Sequence, residues 1–385
     1  MKKNHPLLLL LFFLFGLFPV VGLLIWSGVR HTEGYVLYVQ WQAEKVLGVP
    51  VKIGKIEHPR PNRIRWRDVS LSNGQIQIPQ VEIWNRTLKK EGKSFRQYHY
   101  TLPELTLETV CLETLWNLHQ NVLTRPEGWK GAECFLEVED AVHVKTMPPL
   151  EIQDAHLQIS QGKFGPQTEI TFLLPDEGKF PVTLMLQKVT QGTSQVMVAT
   201  LQTPSAGIRT SHLFSLFPML QQMGNDSRFS GKIVIQQSFR GWSGLFSGTF
   251  QNINLAALRG RDGSITGWGT LTLESARFDG GLLTQAKGMF EASGGAIRRH
   301  FLDQIILATQ LSTRGIPLDM ADPIPFQEMR FSFLVQNSRV ELLGGCASHG
   351  PGVFLAGRNG PILCEPTHPR NPLRASVFFG ALMEK

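Results

Sequence analysis

The stretch from Leu7 to Val29, LLLLLFFLFGLFPVVGLLIWSGV, carries no charged residue. It is longer than the roughly 20 apolar residues a helix needs to cross a bilayer. Lys2 and Lys3 lie before it, so the bias of positive charge toward the cytoplasm places the N-terminus inside and sends everything after Arg30 across. The segment predicts an uncleaved, single-pass, N-in anchor with the body outside the cytoplasm. A cleaved signal peptide is the competing reading. Its apolar core normally covers only about 7–15 residues, and Trp26-Ser27-Gly28-Val29-Arg30 offers no A-x-A cleavage site.

Beyond the anchor the pattern changes twice. Tyr35, Val39, Ala43 and Val46 recur at helical spacing, which predicts an amphipathic helix over Glu33–Leu47, stopped by Gly48 and Pro50. The period then becomes two. Val49, Val51 and Ile53, then Ile64 and Trp66, then Ile76 and Ile78 leading to Val81 and Ile83, alternate with polar or basic residues as half-buried strands do. The phase slips by one between Trp66 and Val69 and again across Pro79, where a bulge or an edge position would absorb the extra residue.

Residues 89–97 are polar and read as a long hairpin loop before a strand at 102–109. Leu112, Leu115, Trp116, Leu118 and Leu123 suggest a helix. Strands follow at 135–145, 150–160, 168–174, 180–187 and 194–202, then a helix at 211–223 that contains Pro218, an awkward residue for its interior. From Phe229 onward short apolar runs are separated by glycines, with a helix at 298–311 and final strands at 329–336 and 338–343. The 37 Gly and 23 Pro scattered between apolar runs favour strands joined by turns.

The expected fold is therefore mainly β: an N-terminal transmembrane helix, then a long twisted antiparallel sheet, groove-like or sandwich, with a few inserted helices. Four segments are expected: a cytoplasmic tip and anchor (1–31), an amphipathic helix and first β segment (32–110), a middle β segment with helical insertions (111–228) and a Gly-rich β segment (229–385).

The net charge of +7 is dispersed over strands, with clusters at Arg60, Arg63, Arg65 and Arg67 and at Arg298 and Arg299. Exposed strand faces beside an anionic membrane account for it more simply than nucleic acid, and no nucleic-acid partner is expected. Cys111 with Cys134 and Cys346 with Cys364 could close two short disulfide loops in an oxidising compartment. Three connectivities are open, and four buried thiols are the alternative.

There is no CxxC, HExxH, phosphate-binding loop or dinucleotide fingerprint, so no cofactor, no metal and no catalytic residue is expected. Cys346 and His349 are the only nucleophile and base sharing one short loop, and a disulfide to Cys364 explains that cysteine more simply.

The phrase LGVPVKIGKIEHPRPNRIRWRDVSLSNGQ (Leu47 to Gln75), following an N-in anchor and a short helix, resembles the amino-terminal pattern of the AsmA-like envelope proteins, the AsmA, TamB and YdbH group. In that pattern a Gly-x-x-Val-x-Ile strand precedes an L-x-D-V-x-L phrase, represented here by Trp66-Arg67-Asp68-Val69-Ser70-Leu71. GSITGWGTLTLESARFDGGLLTQAKGMFEASGGAIRRHFL (Gly263 to Leu302) is similar to the family's carboxy-terminal pattern.

The resemblance transfers no site residue. It implies a non-enzymatic protein of the bacterial inner membrane with its body in the periplasm, whose apolar β-groove holds or conducts phospholipid or supports outer-membrane biogenesis. The alternative expectation is an adaptor with a closed, dry core that binds another envelope protein through a β-sheet edge or face.

Overall fold

The structure is a computed structural model, and it describes residues 27–90, 93–108, 133–145, 149–162, 165–175, 177–191, 194–214, 218–238, 241–258, 264–280, 282–313, 322–366 and 373–374. Most of the expected span, Cys111 and the helix expected around 112–123 lie outside these residues. Among the described residues no helix is long and apolar enough to cross a membrane. The protein is mainly β. It divides into two compact units, one of residues 1–145 with 156–160, the other of residues 146–155 with 161–385.

The first unit opens with helix α1 (Glu33–Leu47), which lies where the helical spacing places it. The Thr32 side chain caps its first turn by accepting from Tyr35 N–H, and Gly48 ends it in the left-handed conformation. Five strands follow: β1 (Val51–Arg60), β2 (Arg63–Leu71), β3 (Ile76–Lys90), β4 (Lys93–Glu108) and β5 (Glu133–Lys145). α1 packs Tyr35, Val36, Val39, Ala43 and Leu47 over Val51, Ile53 and Ile56 of β1.

In the segment expected as a long loop, residues 89–97, the described residues 89–90 and 93–97 are instead in a ladder, with pairs from Arg86↔Gln97 to Lys90↔Lys93. Backbone pairing holds a hairpin together whether or not its side chains are apolar, so polarity alone misplaced the turn. Pairing is antiparallel from β1 to β4, but β4 and β5 run parallel, which departs from the all-antiparallel expectation and requires a long crossover between them.

The two expected phase slips belong to one feature. Core-facing residues flank a two-residue interval in β1 (Ile53 and Ile56), β2 (Trp66 and Val69), β3 (Ile78 and Val81) and β4 (Leu102 and Leu105). These intervals are level with one another, because Ile53 pairs Val69 and Val69 pairs Ile78, while Ile56 pairs Trp66 and Trp66 pairs Val81. In β5 the interval between Val138 and Val142 holds one residue more, and the register with β4 shifts there. A transverse crease therefore crosses all five strands, with Asp68 at φ 53° on its line and Gly54 against it, where an added Cβ would sit 3.0 Å from that of Asp68.

Strand β6 (Leu150–Gly162) is divided between the units. The second unit contains β7 (Gly165–Leu173), β8 (Val182–Gln191), β9 (Ser194–Gln202), β10 (Ile208–Arg209), β11 (Arg228–Ser238), β12 (Gly241–Asn254), β13 (Ile265–Asp279), β14 (Leu282–Ile297), β15 (Ser312–Thr313), β16 (Ile324–Gln336), β17 (Arg339–Gly344), β18 (Val353–Gly357), β19 (Gly360–Cys364) and β20 (Leu373–Arg374), with helices α2 (Leu255–Leu258) and α3 (Arg299–Thr309). An antiparallel meander runs β7, β8, β9, β11, β12, β13, β14, β16, β17, β20.

The helix expected over 211–223 is replaced by 3₁₀ turns at Thr210–Leu213 and Pro218–Met223. Pro218 opens the second turn, where its missing N–H costs least. The helix expected at 298–311 is α3, and it covers one end of the sheet with Phe301 and Leu302 packed on Ile297, Ile324 and Phe326.

Candidate functional site

Strand pairing in the second unit aligns apolar side chains into transverse rows. One row runs Ile170, Leu184, Leu201, Ile233, Phe246, Ala276, Ala286, Val335, Val340 and Leu373, each paired with the next. Ten strands at about 4.8 Å spacing extend such a row to about 43 Å. A second row on the same face carries Phe250, Leu271, Phe290 and Phe331.

Burial along this face is uneven. Phe229 and Ile233 are 0% exposed beneath the turn residues Leu213, Phe214 and Leu220. Phe172, Leu201, Leu271, Leu273, Phe290, Phe333 and Leu342 are only partly buried, while Ala276, Ala286, Val335 and Val340 between them are buried.

Glycines shape this face. Gly288 pairs with Phe333, and a Cβ at Gly288 would lie 2.4 Å from Thr272 O and 2.9 Å from Phe333 Cζ. Gly295 stands in the same relation to Phe326, whose Cζ would be 2.5 Å from an added Cβ. In each case a ring covers a position where a strand lacks a side chain, which lets the backbone bend without leaving a void. The sequence carried a signal for this that the period-two reading passed over: phenylalanine and glycine alternate in Phe246-Ser247-Gly248-Thr249-Phe250 and Gly288-Met289-Phe290. The opposite face is polar, with Lys287 bonded to Glu274 and Arg330 Nε 2.8 Å from Glu291.

Of the expected disulfide residues, Cys111 lies outside the described residues. Cys134 is buried in β5, and its burial pushes the thiol up to about 12. Cys346 and Cys364 meet in one small buried cluster with Val353 and Ala356; Cys364 pairs with Val353, whose carbonyl accepts from Cys346 N–H at 3.0 Å.

Burial pushes the Cys346 thiol up to about 11, and its Sγ faces the Glu328 carbonyl at 3.8 Å. His349 does not engage Cys346 through its side chain; its Nδ1 lies 2.7 Å from Ser348 Oγ. Glu328 organises the loop, accepting from Ala347 N–H at 2.7 Å and from the Ser348 hydroxyl at 2.8 Å. Burial alone would raise the Glu328 carboxyl, but these donors and Arg330 hold it below the usual carboxylate range.

Elsewhere, charge is paired across strands. Glu82 accepts from Arg63 and Arg65, and Glu57 from Lys55 and Arg67, so much of the arginine cluster seen in the sequence is locally neutralised. The Arg63 hydrogen bond is the main cause that holds the Glu82 carboxyl below its ordinary range, against burial and with help from Arg65. Trp84, His99 and Phe135 stack across β3, β4 and β5, with Trp84 and His99 centroids 3.8 Å apart.

In the second unit, Glu177 is buried beside Arg228, with Arg209 N–H donating to it at 2.8 Å and His212 Nε2 3.4 Å away. Among the described residues no group of three His, Cys, Asp or Glu side chains could hold a metal ion. Compared with known proteins, the chain matches no family model, no curated protein and no solved structure.

Proposed function

We propose that this chain is a single-pass, non-enzymatic envelope protein of AsmA-like type, anchored in the bacterial inner membrane by residues 7–29 with its body in the periplasm. The apolar face of the second unit holds or conducts phospholipid there, or supports outer-membrane biogenesis. One observation carries the reading: one apolar row runs unbroken across ten paired strands, and on the same face Leu271, Leu273, Phe290, Phe333 and Leu342 stay only partly buried. Apolar surface left partly exposed is costly in water, at about 25 cal/mol per Å², and acyl chains are a chemically matched cover.

A photoreactive phenylalanine at position 290 or 333 of the full-length protein in its own membrane tests this. Phospholipid adducts at both positions, and none at Ser332 on the polar face, are the expected result. No lipid adduct at either position overturns it.

A second reading, an adaptor that pairs a partner protein at a sheet edge, is favoured by β17. Among the described residues the ladder with β20 involves Arg339 and Val340 alone, and Leu343 beyond it is 59% exposed. Peptide adducts without lipid would select it.

A further inference from the structure

We infer that the outward face of α1 is a lipid-interface seat, on which the first unit rests against the headgroup region of the same bilayer that residues 7–29 enter. The inference rests on the anchored reading above and adds to it a second, separate membrane contact.

The roll of α1 about its own axis is fixed. Its inner side is packed on β1, Gln40 Nε2 donates to Ile53 O at 3.0 Å, and Glu44 Oε1 accepts from Val51 N–H at 3.0 Å. With the helix held this way, Leu37, Tyr38 and Trp41 point outward at 63%, 53% and 55% exposure. Three large apolar or aromatic side chains on one solvent face of a fifteen-residue helix are unusual for a surface that meets only water.

The chemistry of the face is that of a membrane boundary. Tyr38 keeps its hydroxyl bonded to Gln42 Nε2 at 2.6 Å, and Lys45 Nζ lies 5.5 Å from the centre of the Trp41 ring. Tyrosine and tryptophan settle at headgroup level because one part of each ring system is apolar and the other bonds to water. Lys45 adds a charge that attracts anionic headgroups, and Glu33, in the first turn, is the only carboxylate that the exposed side of the helix carries.

Position in the chain selects the occupant. The uncharged apolar run ends at Val29, Ser27 to Val29 is helical, and one turn at 30–32 separates it from α1. A segment that leaves a bilayer at Val29 therefore delivers Leu37, Tyr38 and Trp41 to within a few residues of the headgroups. A protein partner could cover such a face, but its place directly after the apolar run favours lipid.

The test uses the full-length protein in phospholipid vesicles. Trp26 is replaced by phenylalanine, because it lies in the apolar run. Tryptophan emission is then compared with and without Trp41→Phe, using lipids brominated near the headgroup as one quencher and acrylamide in the water as the other. The expected result is that most of the lipid-quenched emission disappears with Trp41→Phe.

Quenching of Trp41 by acrylamide but not by lipid overturns the seat. Shielding from both quenchers also overturns it, and assigns the face to a protein. Alkaline carbonate extraction of the same vesicles separates the two ideas. Release of the chain overturns the anchor and the seat together, whereas a retained chain with lipid-insensitive Trp41 overturns the seat alone.

Discussion

Phe333 stands directly opposite Gly288 in the β14–β16 ladder, and its ring occupies the space that a side chain at Gly288 would need. Gly288→Ala should therefore destabilise the second unit by about 1–3 kcal/mol, the usual cost of overpacking. The denaturant midpoint should fall. Combining it with Phe333→Ala should cost less than the sum of the two single changes, because the second removes the ring contact created by the first and leaves only the one with Thr272 O. Full additivity would show that the two residues do not share that space.

Glu177 ties its own segment to β10 and β11 through Arg209 N–H and Arg228. Its side chain is 1% exposed, and that of Arg228 is 26% exposed. Glu177→Ala should cost about 3 kcal/mol, the low end for breaking a buried pair, since Arg228 can partly rehydrate. The double change Glu177→Leu with Arg228→Met should recover much of that loss in the same unfolding measurement.

The Glu82 carboxyl titrates below its ordinary value near 4.5, first because Arg63 donates to it. A carboxyl with a lower folded-state value contributes stability that is fully present above the ordinary range and is lost as pH falls through the folded value. Glu82→Gln should therefore lower stability at neutral pH and flatten the decline on the acid side of pH 4.5. An unchanged slope of unfolding free energy against pH would exclude Glu82 as a contributor.

Burial raises the Cys346 thiol from an ordinary 9.0 to about 11. At pH 8 its reactive thiolate fraction should lie about a hundredfold below that of an exposed cysteine. Iodoacetamide should modify it at least that much more slowly in the reduced, folded protein than in the denatured one, as read by mass spectrometry of the Cys346 peptide. The same peptide isolated without reductant reports whether Cys346 and Cys364 are joined.

The anchor predicts that the mature chain begins at Met1 or Lys2 and resists carbonate extraction. Arginine at Leu14 and Leu17 should release it, since each charge near the centre of a span costs roughly 2.5–3.5 kcal/mol. A mature N-terminus near Gly28 or Arg30 would show a signal peptide instead.

Local signals in the sequence translated well. Spacing and a Gly stop located α1 to the residue, and the apolar stripe of residues 301–306 located α3. What could not be read were relations between distant segments. The parallel partnership of β4 and β5 joins residues about 36 apart in sequence, and alternation alone does not say which strand lies beside which.

The apolar row across ten strands is not legible for the same reason, since it exists only once nine registers are set. Pro218 shows the opposite failure: the apolar spacing of Leu213, Phe214, Phe217 and Leu220 fits a helix, but the described residues form 3₁₀ turns, the second of which begins at Pro218. For the cysteines, sequence proximity suggested two loops; the fold gathers Cys346 and Cys364 and leaves Cys134 in another unit.

The crease in the first unit restricts how that unit can change length. Gly54, Asp68 and the residues level with them form a keyed joint, in which each strand's extra residue meets its neighbour's. Deleting one residue there from a single strand would turn half of that strand inside out, while its neighbours kept their phase. A tolerated deletion at that level would have to occur in adjacent strands together, so the joint fixes the height of the bend for every strand at once.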